Sequence, residues 1–302
     1  MSTLNLRPVS SSASLISKPI PSPSLLKPWD FSYNSSPDRK DRNLLIMFHG
    51  LGRCKVSREH YRDSQKYMLN NSKLIVRLLG DNKASFFNLA KQLNLPSTAV
   101  LSLTALDPIP LMDHPSFSWY QAFDPYFNPL PISSQNPTAP LSKLRKLLET
   151  LISPHLGWRL EDIHLFGWGQ GGTVALELGI DIGKTPLKTN DEKDNGKRLG
   201  SIISICAPLL THPASPLNVS TPVLYFTRQS PQSAVQQKTV SGIRRGYREV
   251  EVVQGGGVGG RKGEDMPRGK EEWYGLMKFW GQVLGKADEG WKGEGEVYEV
   301  IQ

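Results

Sequence analysis

Residues 165–172 read Leu165-Phe166-Gly167-Trp168-Gly169-Gln170-Gly171-Gly172. Leu165 and Phe166 close an apolar run that begins near Asp162, and from Thr173 to Ile180 the apolar residues recur at helical spacing. Between the two, four glycines in six residues let the chain turn tightly from strand to helix. Glycine tolerates left-handed torsion angles and close backbone approach at little steric cost.

The neighbouring segments alternate in the same way. Leu44–Phe48 is a continuous apolar run, Ala84–Leu95 has helical spacing, Thr98–Leu103 reads as a strand and Leu141–Ile152 as an amphipathic helix. Ser201–Cys206, Val223–Thr227 and Arg248–Val253 read as strands, and Lys270–Leu284 as a closing helix on which Trp273, Tyr274, Leu276, Met277, Phe279 and Trp280 form the packing face. Strands alternating with helices predict an α/β fold, a mostly parallel central sheet with helices on both faces. The expected domain spans 43–284. Residues 1–42 are rich in Ser and Pro and read as a disordered leader, and 285–302 as a flexible tail. Arg7, Lys18 and Lys27 lend the leader some transit-peptide character, but its prolines oppose the amphipathic helix such a signal uses. The cytoplasm is the expected compartment, with organelle import as the alternative.

The chain has 302 residues, enough for one enzyme-sized domain, and no apolar stretch as long as a membrane span. Cys54 and Cys206 set no disulfide framework and no metal-binding spacing, so neither a metal nor another cofactor is expected. Of the net charge of +8, segment 53–80 carries +5 and the rest is nearly balanced, without a basic stripe interleaved with aromatics. Nucleic acid is therefore not an expected partner. The oligomeric state is not legible.

His49-Gly50-Leu51-Gly52 follows the first buried strand, and with Gly167–Gly172 it completes a pattern. The chain resembles the phospholipase/carboxylesterase family of α/β-hydrolases, which includes the acyl-protein thioesterases. Its members carry HGLGD after the first core strand and GFSQGG at a strained turn that displays a serine nucleophile. Gly167-Trp168-Gly169-Gln170-Gly171-Gly172 matches that elbow except for Trp168 and for Gly169 at the nucleophile position. The resemblance covers about residues 43–284. It implies an α/β-hydrolase fold, an acyl ester, thioester or lipid-like small molecule as ligand, an elbow framed by Gly167 and Gly171, and oxyanion-hole-like amides at Leu51 and Gln170.

The family's acidic residue after HGLG is displaced: Gly52 is followed by Arg53, while Asp81-Asn82 comes after Gly80. Removing 53–80 would restore the motif, so the segment reads as retained intron sequence or as a surface insertion. A transcript read through that junction without a gap excludes the intron.

In this fold the triad runs Ser, Asp, His along the chain. Gly169 has no nucleophilic atom. Arg228-Gln229-Ser230-Pro231 stands where the acid is expected, with no aspartate between Asp194 and Asp265 and no histidine after His212. Asp265 or Glu264 is a candidate substitute acid, and His164 or His212 a substitute base. His164 lies within a strand, which leaves His212 as the histidine to test. Thr173 and Cys206 are the remaining candidate nucleophiles, the first expected to point away from a substrate and the second to be inert packing. The aromatic and proline-rich loop 104–140 is expected to cap the C-terminal edge of the sheet. The resulting expectation is a pseudoenzyme that binds acyl groups. The alternatives are an active carboxylesterase or thioesterase with relocated groups, and a non-enzymatic interaction scaffold.

Overall fold

The computed structural model describes residues 5–8, 17–51, 82–109, 115–124, 126, 128, 130–188, 196–256, 265–285 and 298–301. The segment 53–80 and Asp81 lie outside the described residues, as does Glu264.

Seven strands form the main sheet: β1 (Phe31–Asn34), β2 (Asn43–Phe48), β3 (Thr98–Leu103), β4 (Ile163–Trp168), β5 (Ser201–Ile205), β6 (Val223–Thr227) and β7 (Val250–Gln254). Their spatial order is β7-β6-β5-β4-β2-β3-β1. All neighbours are parallel except β1, which runs antiparallel to β3 with Phe31 opposite Leu103. The chain reverses its winding at β2, between β3 and β4. Ligands of open α/β sheets bind beyond the strands' carboxyl ends near such a switch point.

Among the described residues, five helices cover the sheet: α1 (Lys83–Leu93), α2 (Leu141–Leu151), α3 (Gln170–Lys184), α4 (Ala234–Gly246) and α5 (Gly269–Val283). Strand side chains alternate between two cores, as the pleat requires. Leu44, Ile46 and Phe48 face a core shared with α2, α3 and α4, built on Leu144, Leu148, Val174 and Ile243. Leu45 and Met47 face a second core with Phe86 of α1 and Leu276, Phe279 and Trp280 of α5. The predicted α/β architecture with helices on both faces is present.

Four expectations change. Residues 17–42 are not a leader outside the fold. Leu26 and Trp29 are buried in the first core, β1 extends the sheet, and the Asp41 carboxylate accepts from the Ser17 hydroxyl and from the Lys18 and Ser36 amides. Prolines limit regular secondary structure without preventing an extended segment from packing. Secondly, α4 was not expected, because only Gln236, Ile243 and Gly246 of its residues are buried and so thin a stripe gives weak periodicity. On α5, Tyr274 is 69% and Met277 39% exposed, so the packing face is narrower than predicted. Tyr298–Ile301, in the expected tail, pairs antiparallel with Asn5–Pro8.

Candidate active site

The turn between β4 and α3 has the geometry that a nucleophile elbow demands. Gly169 adopts φ +53° and ψ −123°, a conformation rare for residues with side chains. Its amide donates to Ile205 O at 3.1 Å and its carbonyl accepts from the Thr173 amide at 3.0 Å, so the strained residue is held from both sides. The flanking glycines serve packing. A Cβ on Gly167 would lie 2.4 Å from the Gly171 carbonyl carbon, and one on Gly171 would lie 2.4 Å from Phe48 O. At Gly169 the nearest atom to such a Cβ is Gly50 Cα at 3.9 Å. The nucleophile position therefore has room for a side chain and contains none.

The same distances bring the segment after β2 against the elbow. His49 is fully buried, with Nδ1 3.0 Å from Gly50 O, and Nε2 accepts from the Ala105 amide at 3.0 Å. Nδ1 therefore carries the ring proton and donates to Gly50 O. Burial pushes the imidazole down to about 4, against the opposing bond to Gly50 O, so the ring is neutral at physiological pH. Leu51 follows at the end of this loop, half-buried.

Trp119 ties the two segments together. Its indole N–H donates to His49 O at 2.7 Å, and its backbone amide donates to Gln170 Oε1 at 3.0 Å. Gln170 Nε2 donates in turn to Tyr120 O at 2.9 Å. The Trp119 ring lies 5.0 Å from Phe48 and 6.0 Å from Trp29, centroid to centroid. The expected cap over the sheet edge is thus made by Trp119 and Tyr120, while Phe117 and Phe123 are half-buried and Tyr126 is exposed. Phe127 lies outside the described residues.

Residues 228–231, directly after β6, include no carboxylate. Arg228 pairs with both Glu272 oxygens at 2.5 Å and donates to Met266 O at 2.9 Å. The two side chains are 11% and 10% exposed. Asp265, a candidate substitute acid, pairs instead with Arg268 at 3.1 Å.

His212 is exposed on the loop after β5, and His164 is fully buried with Nδ1 2.9 Å from Ser201 Oγ and Nε2 3.4 Å from Asn43 Oδ1. Burial pushes His164 down to about 3. His164 packs inside the sheet and His212 faces solvent. Thr173 is buried and donates to Pro208 O at 2.8 Å, and Cys206 is buried with its sulfur 3.6 Å from Asp265 O.

Sequence reading missed Glu177. It is 2% exposed on α3, and its carboxylate accepts from the Leu210 and Thr211 amides and from the Thr211 hydroxyl, at 2.9, 2.7 and 2.5 Å. Burial also raises the neighbouring Tyr120 phenol to about 12. The local signal was a glutamate within the apolar run Val174–Ile180. Among the described residues, no group of three or more His, Cys, Asp and Glu side chains could hold a metal, and no helix is long and apolar enough to cross a membrane.

No family profile matches the chain. It is 30% identical over 289 residues to an uncharacterized hydrolase of Mycosarcoma maydis, covering 95% of this chain and 93% of that one. An uncharacterized hydrolase of Schizosaccharomyces pombe (strain 972) is 28% identical over 216 residues, 69% of this chain and 81% of its own. Among solved structures, esterase PE8 superposes with a TM-score of 0.53 at 14% identity, over 85% of this chain and 99% of that one.

Proposed function

We propose that this chain, which belongs to the family of its hydrolase relative and has the α/β-hydrolase fold, has lost serine-triad hydrolysis and retains an acyl-binding role. One observation carries the reading: Gly169 sits in the elbow's strained conformation with open space where a side chain would begin and no atom able to attack. The Arg228–Glu272 pair at the acid position supports it. Removing a triad nucleophile costs about 10⁶ in turnover in a well-studied serine protease, and leaves about 10³ to 10⁴ over water from the oxyanion hole and binding.

The ligand class is an acyl ester, thioester or other lipid-like molecule whose carbonyl meets the amides of Leu51 and Gln170 at the elbow. Helix α3 begins at Gln170, and the first amides of a helix lack intrahelical acceptors. The reading needs no cofactor and takes the cytoplasm as the compartment.

Nitrophenyl-ester turnover, fluorophosphonate labelling and thermal shift with fatty acids test it together. The expected result is turnover near background, no stoichiometric label and stabilisation by an acyl ligand. Robust turnover with stoichiometric labelling would overturn the loss of catalysis, and a label mapping to Thr173 would identify the substitute. Stabilisation by no acyl ligand would leave the fold as an interaction scaffold.

A further inference from the structure

The second concentration of charge lies on the surface, at the end of the molecule away from the elbow. Helix α3 starts at the elbow and ends at Lys184, so its 15 residues carry the chain about 22 Å from Gly169. Two further chain segments converge there. Gly183 packs against Val219, whose amide donates to Gly246 O at 3.0 Å and whose carbonyl accepts from the Arg248 amide at 3.0 Å. Leu217 donates to Arg245 O at 2.8 Å, and Leu199 to the Thr221 hydroxyl at 3.1 Å. These contacts bring Lys184, Lys188, Arg198, Arg244, Arg245 and Arg248 to one end of the α3–α4 layer, all exposed. Glu249 pairs with Arg248 at 3.3 Å.

The charge is segregated rather than spread. Residues 184–198 and 244–249 together hold eight cations and four acids, a net +4. Segment 53–80 holds +5, and all remaining residues sum to −1.

We propose that this end of the α3–α4 layer docks on an anionic lipid surface. Clusters of four to eight Lys and Arg side chains attract acidic headgroups through an interaction that salt screens within about 10 Å. A lipid surface is favoured over nucleic acid because the aromatic side chain among these segments, Tyr247, is buried and offers no base a stacking face. The patch is remote from Gly169, so docking stands or falls independently of acyl binding at the elbow.

The test is co-sedimentation of the full chain with phosphatidylcholine vesicles, with and without phosphatidylserine, at low and high salt. Binding is expected only with phosphatidylserine, and should weaken with salt. The triple variant K184E/R244E/R245E should lose it by at least about tenfold. Because Lys184, Arg244 and Arg245 lie in the last turns of α3 and α4 and Arg245 donates to Ala214 O at 2.7 Å, that variant should unfold somewhat earlier than the parent, and its binding is compared at a temperature where circular dichroism shows both folded. A K55E/R58E variant should bind like the parent. Equal binding to neutral vesicles, loss of binding in K55E/R58E but not in the triple variant, or binding of an oligonucleotide without binding to acidic vesicles would each overturn the proposal.

Discussion

Arg228 and Glu272 form a two-pronged ion pair, both contacts at 2.5 Å, directly after β6. The pair fastens α5 and residues 265–266 to the sheet edge. Under the proposed function, the position that the family motif gives to an acid serves packing here. Breaking a largely buried pair from one side leaves an uncompensated charge, so Glu272→Gln should cost about 3–5 kcal/mol. Urea unfolding measures it, and a cost within error of zero would refute a structural role.

Gly169→Ser should fold and remain inactive. The new Cβ meets nothing closer than 3.9 Å, and strain at φ +53° should cost about 1–3 kcal/mol. Among the described residues, His49, which precedes the Gly50 packed against the elbow, has both ring nitrogens engaged, with Gly50 O and the Ala105 amide, and so offers no base to the hydroxyl. Gly171→Ala, with its Cβ 2.4 Å from Phe48 O, should cost more than about 4 kcal/mol or abolish soluble expression. Nitrophenyl-ester assays and unfolding curves of both variants read the contrast. Strong turnover by Gly169→Ser would reveal a base not identified by sequence or geometry.

Gln170→Ala removes the amide that accepts from Trp119 and donates to Tyr120, leaving two buried backbone groups without that partner. Each such group costs about 1–3 kcal/mol. Faster hydrogen exchange at the Trp119 amide is the expected signature. Unchanged exchange would mean that the loop is held by the indole bond to His49 O alone.

Acid should weaken the fold through its buried histidines. The unfolded chain takes up protons near pH 6.5, whereas burial holds His49 near 4 and His164 near 3. Stability is therefore whole above pH 6.5 and declines toward pH 4, by about 1.4 kcal/mol per pH unit for each ring. Asp162 acts in the opposite sense. Burial raises its carboxyl to about 6 despite Arg42, so between pH 6 and 3.8 the native state protonates first and offsets one ring. Urea midpoints from neutral pH down to pH 4 should fall, most evenly between 6 and 4. A flat profile would show that the rings are protonated in the native state.

Much of the architecture was readable because buried parallel strands are nearly continuous apolar runs. Leu44–Phe48 and Ser201–Ile205 need no partner to be recognised. Strand β1 was not read: Phe31-Ser32-Tyr33-Asn34 alternates as a strand does, but over four residues only and inside a stretch rich in Ser and Pro, and it is pairing with β3 that fixes it. The same holds for α4, whose contact with the core rests largely on Ile243.

For the site, the sequence by itself determined which atoms are missing. No arrangement of Gly169 supplies a hydroxyl, and no fold brings a histidine from beyond His212 when none exists there. Tertiary structure alone decided what fills the vacated roles, because those answers depend on residues far apart in the chain. Arg228 meets Glu272 across 44 residues and Trp119 reaches His49 across 70, contacts that no local spacing encodes. It also separated three similar glycines. Gly167 and Gly171 are required by backbone atoms 2.4 Å from their missing Cβ positions, whereas Gly169 faces open space at φ +53° and ψ −123°.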